Sequence, residues 1–365
     1  MMDYEALLHK LDSIDPVAYG RTRNFIDGAV TELSPYISRG FIDTKTILEH
    51  LVQRRFKYYQ LEKFIQQMAW REYFQRVWQA EGYRIDQDLK HDQGARAASG
   101  MPLAVAEART GVHAIDQGIQ RLLTTGMMHN HMRMYLAFVS ANFAGFHWHD
   151  PAKWMYHHLL DGDWASNALS WQWVAGTFSH KKYIANQDNI NHYTRSVQKG
   201  SYLDMDYDAL SMASSPEVLL ESGKLLLKTN LPVAVDPVID HDLPVLIYNY
   251  YNLSPVWRKE EPANRILLLE PEVFERYPVS DKCIAFMLDL SKSIDGIQVY
   301  VGSFDELQKH TGSAPIIFRE HPLNGHYKGK ADERSWMLMD PSTATGSFFS
   351  FWKKCEKKLI RAYFS

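Results

Sequence analysis

The hydrophobic period of this chain changes once along its length, and the change limits what each part can fold into. Through residues 1–200 apolar side chains recur at intervals of three and four, as in Ile47-Leu48-Leu51-Val52 and Phe64-Ile65-Met68-Ala69. That is the period of one face of an α-helix. Segments 112–126, 130–145 and 151–161 follow it too. From residue 243 the pattern becomes short apolar runs at 243–248, 265–269, 297–301 and 315–319, with the length and composition of buried strands. A helix is predicted over 280–294, and Ser303 with Glu306 has the spacing of a capping box that opens another. Strands alternating with helices imply a small, mainly parallel sheet. The expected fold class is α+α/β: an all-helical domain over 1–205, a linker over 206–242 holding Pro216, Pro232 and Pro237, and a small α/β domain over 243–365. Within the helical part, 84–102 and 176–205 lack periodicity and are expected to be loops.

Composition narrows the function classes. A net charge of −3 excludes a chain that binds nucleic acid through its overall field. The first 200 residues are slightly basic and the remainder acidic, so a DNA contact is expected as a local patch on the first half. Cys283 and Cys355 are the only cysteines. They exclude a four-cysteine metal cluster or a disulfide framework and point to a reducing cytoplasm. No metal site is expected. No apolar run reaches the roughly 18 residues that a membrane helix needs, and the polar N-terminus is not patterned as a signal peptide.

Residues 161–173 carry the densest chemistry: two carboxylates, two side-chain amides and three indoles. A site that binds a large polar aromatic ligand and moves electrons uses all of these. The stretch resembles the flavin-contacting motif of the cryptochrome/DNA photolyase family, DGD-x-A-x-N-x-x-x-W-Q-W, at Asp161, Gly162, Asp163, Ala165, Asn167, Trp171, Gln172 and Trp173. The resemblance extends over residues 19–193. Leu33-Ser34-Pro35-Tyr36 is similar to the family's LSPY, with Val30 and Thr31 where it has Thr-Ser. Tyr19 and Arg23 match positions upstream. Trp70-Arg71-Glu72-Tyr73-Phe74-Gln75-Arg76 resembles WREF-x-x-R, and Gly126 to Met134 resembles GWMHNRLRM, with His131 in place of an arginine.

The resemblance implies FAD as cofactor. It places Thr31, Ser34 and Arg76 around the flavin phosphates, counts Tyr19 and Leu33 among the cofactor-binding positions, and sets Asn130 at the lesion or the adenine. Arg133 would pair with Asp161 beside the ring, Asp163 would accept from the ring N3–H, and Asn167 would stand opposite N5. It assigns Glu72, Asn130, Met134 and Trp173 to the lesion face, with Trp173 stacking on the base, and Trp171 and Trp148 to an electron relay. The relay's third member normally precedes the TG motif, matched here by Thr110-Gly111, yet 79–147 holds no Trp.

The implied activity is light-driven repair of cyclobutane pyrimidine dimers in UV-damaged DNA, single- or double-stranded, by an electron from excited reduced FAD. The separation of His129 from His131 by Asn130 favours that lesion over the (6-4) photoproduct. The alternative is a cryptochrome-type blue-light photoreceptor that signals through a protein partner, and a flavin-binding protein without light function is a third reading. Photolyases normally carry their α/β antenna domain before the helical one, whereas here the α/β segment follows it. It has no glycine-rich phosphate loop. His321 and His326, five apart, read as a surface loop, and Lys353 to Lys358 as the solvated face of a terminal helix.

Overall fold

A computed structural model describes residues 2–94, 98–338 and 346–364. The chain forms two compact units. The first comprises Met1–Pro16, Thr31–Ala80 and Lys228–Ser365, the second Val17–Val30 and Glu81–Leu227. This partition differs from the expected boundary between 205 and 243. The reason is packing: the early helices 31–80 bury their apolar faces against the C-terminal α/β part, as in the stacking of Trp70 on Phe348 at 3.6 Å between ring centroids.

The helices that carry the argument are α1 (Ser34–Ser38), α2 (Tyr58–Glu81), α3 (Asn130–Ala137), α4 (His149–His158), α5 (Trp164–Ala175), α6 (Asp281–Ser291), α7 (Phe304–Thr311) and α8 (Phe348–Tyr363). From Met68 onward α2 is buried on nearly all sides, so its polar residues there need partners inside the protein. The capping box is present: the Ser303 hydroxyl accepts from the Glu306 amide, and the Glu306 carboxylate accepts from the Ser303 amide. On α8 the lysines are exposed, while Phe351, Trp352, Cys355 and Leu359 are buried, as expected for a solvated basic face.

The sheet of the first unit has five parallel strands: β1 (Val245–Tyr248), β2 (Asn264–Leu269), β3 (Ile297–Val301), β4 (Ile316–Arg319) and β5 (Lys330–Asp332). Their spatial order is β3-β2-β1-β4-β5. Val245, Ile247, Ile266, Leu268, Ile316 and Phe318 share one core cluster with Phe304 and Leu307 of α7. Alternate residues Leu246, Tyr248, Leu267 and Leu269 are buried as well. Burial of both faces explains why these strands read as continuous apolar runs.

Two elements depart from expectation. Residues 176–205 are not all loop: Gln187–Thr194 is helical, capped by the Asn186 side chain, which accepts from the Asn189 amide at 3.1 Å. The fifth strand, Lys330–Asp332, is polar and exposed at the sheet edge, and so lacks the apolar signal that marks the other four. The expected loop 84–102 contains a 3-10 turn at Gly82–Asp86 and a two-residue ladder of Met101–Pro102 with Ser222–Gly223; its residues 95–97 lie outside those described. Among the described residues no helix is long and apolar enough to cross a membrane.

Candidate cofactor site

The candidate residues fall in both units. Tyr19 and those from Asn130 to Trp173 belong to the second; Thr31, Leu33, Ser34, Glu72 and Arg76 belong to the first.

In the second unit, Arg133 on α3 is held from two sides. Its Nε donates to the Met128 carbonyl at 2.9 Å, and its Nη2 donates to both Asp161 oxygens at 2.9 and 2.8 Å. Asp161 is 7% exposed, so this charge pair is shielded from solvent and geometrically fixed. Gly162 is required between the two aspartates by close packing: a Cβ there would meet the Leu159 carbonyl oxygen at 2.9 Å and that of Tyr156 at 3.1 Å. Asp163 follows at the N-cap of α5, yet its side chain does not cap the helix. Its buried carboxylate accepts instead from the Ser166 hydroxyl at 2.6 Å. One turn on, Asn167 donates through Nδ2 to the Ala152 carbonyl at 2.8 Å.

The tryptophans separate by environment. Trp171 is buried and its Nε1 has no hydrogen-bond partner among the described residues. Trp148 is fully buried, with Nε1 donating to Asp88 at 2.6 Å. Trp164 is equally buried and donates to Asp86 at 2.7 Å. Trp173, two residues beyond Trp171 and so nearly opposite on the helix, is 38% exposed. On α3 the exposed Asn130 and half-buried Met134 are four apart and share a face. His131 stacks on Tyr193 at 4.4 Å, and burial with the nearby His129 and Arg23 pushes its pKa down to about 4. Tyr19 is half-buried, and burial raises its pKa.

In the first unit, Leu33 is buried, Thr31 half-buried and Ser34 exposed, and the Leu33 amide donates to the Thr31 hydroxyl at 3.4 Å. Helix α1 is only five residues long, so the hydroxyls, rather than a helix dipole, are what this segment offers a phosphate. Glu72 and Arg76 differ from expectation. Glu72 is 4% exposed. Its Oε1 accepts from the Thr44 hydroxyl at 2.5 Å and the Met337 amide at 2.7 Å, and its Oε2 from the Leu338 amide at 3.0 Å. Burial pushes its carboxyl pKa up, against the lowering pull of these donors and of Arg76. Arg76 donates through Nη2 to the Leu338 carbonyl at 2.6 Å and lies 4.1 Å from the centre of the Trp336 ring. Both residues grip the chain at 336–338. The Glu72 carboxylate is thus already engaged by three donors of the protein, which any lesion contact would have to share.

Residues 51–207 match the family model for the FAD binding domain of DNA photolyase. The matched segment, 157 of the 365 residues, is similar to that domain. It is 29% identical over 184 residues to a deoxyribodipyrimidine photo-lyase of Alkalihalophilus pseudofirmus, covering 47% of this chain and 37% of that protein. It is 29% identical over 203 residues to a cryptochrome DASH of Danio rerio, covering 52% of this chain and 36% of that protein. The chain thus spans little more than a third of the length of these curated relatives. A solved cryptochrome from Synechocystis sp. PCC6803 superposes with a TM-score of 0.46 at 22% identity, over 52% of this chain and 43% of that one.

The cofactor of this photolyase-type domain is FAD, and the donor set of the second unit fits it. Asp163 has a buried carboxylate that does not cap its own helix. Among the described residues, Asn167 makes one side-chain hydrogen bond, through Nδ2. Trp171 has an unpartnered buried N–H, the kind of group that calls for a bound ligand or an ordered water.

Proposed function

We propose that this chain is a light-driven flavoprotein that splits cyclobutane pyrimidine dimers in UV-damaged DNA. The observation that carries the reading is the division of α5 into two faces. Asp163 at its N-cap, Asn167 and Trp171 are buried, while Trp173 is exposed. One helix thus offers a polar, indole-lined interior to a cofactor and a free aromatic ring to a base. Exposed Lys181 and Lys182 lie in the turn that follows, where the Ser179 hydroxyl bonds the Trp173 carbonyl at 3.1 Å. They give the stacking ring the phosphate partners that nucleic-acid contacts require.

When bound, FAD supplies the photoexcited electron that opens the dimer. The protein's residues bind and orient. Asp163 accepts from the flavin ring, Asn167 sets the polarity beside it, and the Arg133–Asp161 pair fixes the local field. Tyr19, Thr31, Leu33 and Ser34 serve the phosphate end. Asn130, Met134 and Trp173 serve the extruded lesion. Trp171 and Trp148 donate electrons. Glu72 and Arg76 act at one remove, by holding 336–338.

Purified protein is expected to carry about one non-covalent FAD per chain, as an unmodified cofactor domain does; chromatography of the released flavin checks this, and recovery of the mononucleotide alone would refute it. The decisive experiment illuminates chemically reduced protein with dimer-containing single- and double-stranded oligonucleotides and follows the return of pyrimidine absorbance. A flavin-loaded protein that restores none supports the second reading, a blue-light photoreceptor. That reading draws on the internal engagement of Glu72 and Arg76. Trp173→Ala should weaken dimer binding by roughly 1–3 kcal/mol, the worth of base–aromatic stacking. A titration of dimer-containing oligonucleotide that is unmoved by this change would remove Trp173 from the lesion face.

A further inference from the structure

The five-stranded sheet reverses direction between β1 and β4. From β1 the chain adds β2 and β3 on one side, then returns to place β4 and β5 on the other. In open parallel sheets, ligands bind outside the carboxyl ends of the strands at such a reversal. A cavity of about 100 Å³ lies at this place, and Asn252, Arg319 and His321 are among its lining residues. Asn252 follows β1, Arg319 ends β4, and His321 lies just beyond it.

These three side chains share an unusual property. Asn252 is 4% exposed, and among the described residues neither its Nδ2 nor its Oδ1 has a hydrogen-bond partner. Arg319 Nε is buried without a partner, and its guanidinium makes no ion pair among the described residues. His321 Nδ1 accepts from the Leu323 amide at 3.3 Å, while its buried Nε2 is unpartnered. Burial and the surrounding Arg334, Arg71 and Arg39 push the His321 pKa well down. The ring is therefore neutral, with its proton on Nε2. The unpaired groups are thus chiefly donors, and one of them is a cation.

The acids at the cavity make no hydrogen bond or close ion pair to them among the described residues, although Asp43 and, from β5, Asp332 act on Arg319 at longer range. Asp43 caps the helix that follows it, accepting from the amide and hydroxyl of Thr46, both at 2.8 Å. Glu72 is satisfied by Thr44, Met337 and Leu338. Glu320 accepts from Gln79 at 3.3 Å and from the Arg334 amide at 3.3 Å. Arg319 is half-buried, its inward Nε lacks a hydrogen bond that such a group needs, and its planar fork matches an oxyanion.

We propose that this cavity binds the oxyanion group, phosphate or carboxylate, of a small metabolite, with Arg319, the Asn252 amide and the His321 Nε2–H as its donors. Isothermal titration of the flavin-loaded full chain with inorganic phosphate and, separately, with malonate tests it at low ionic strength. Saturable binding of at least one probe is expected, and the tighter one tells phosphate from carboxylate. Arg319→Gln should weaken that probe by roughly tenfold or more, with flavin absorbance unchanged. Without the probe, this variant should melt close to the parent, because the Arg319 side chain makes no hydrogen bond or close ion pair among the described residues that would be lost. Asn252→Ala leaves the charge in place and should weaken the probe several-fold, so a folding failure of the first variant would not hide the answer. Absence of saturable binding for both probes, or unaltered binding in both variants, overturns the proposal. Loss of flavin from Arg319→Gln would also overturn it, by assigning these residues to the cofactor.

Discussion

Replacing Trp171 by Phe is expected to slow light-driven reduction of the oxidised flavin by roughly tenfold or more, a barrier change of only about 1.4 kcal/mol, while fold and flavin survive. The benzene ring is much harder to oxidise than the indole but fills most of its volume. The structure adds that the change breaks no protein hydrogen bond, because Trp171 Nε1 has no partner among the described residues. Trp148→Phe is a less clean test. It would strip the Asp88 carboxylate of the indole N–H now 2.6 Å away, so slower photoreduction would come with lost stability. Absorbance during illumination with a thiol donor measures the rate, and thermal melting separates the two variants. If the Trp171→Phe protein photoreduces at the parental rate, Trp171 is core packing and another residue feeds the flavin.

Glu72→Ala should lower the stability of the first unit by about 3–5 kcal/mol, the usual cost of removing one partner from a buried charged network. Three donors would be orphaned at once: the Thr44 hydroxyl and the amides of Met337 and Leu338. Urea unfolding followed by tryptophan fluorescence would show a lower midpoint. Glu72→Gln, which keeps acceptor capacity on one oxygen, should lose less. A Glu72→Ala protein of parental stability that has lost affinity for dimer-containing DNA would return this residue to the lesion face and reverse the assignment made from the geometry.

Glu72 also shows where reading the sequence stops. Four residues apart on a helix, Glu72 and Arg76 present as an exposed functional pair, and the family resemblance adds a lesion and a phosphate. Their partners in the folded protein lie 265 and 262 residues away in the chain, and no local pattern reports such a distance. The Arg133–Asp161 pair was legible because a spaced motif recorded both partners, and the structure places them at 2.8 Å.

What the sequence determined by itself is local. The period of three and four set the helices, the short apolar runs set four of the five strands, and Ser303 with Glu306 set a helix start. These follow from backbone geometry and side-chain burial over a few residues, which composition encodes directly. The motif at 161–173 carried the cofactor, since its chemistry sits within one turn and one helix. Tertiary structure alone decided the rest. It paired polar Lys330–Asp332 with β4 through backbone groups that any residue supplies. It moved the early helices into the same compact unit as the C-terminal sheet, because apolar faces bury against whichever surface fits them. It also left the Asn252 amide, Arg319 Nε and His321 Nε2 without hydrogen-bond partners among the described residues, around one cavity. Which polar groups end without partners depends on every neighbour, and only the assembled fold contains that information.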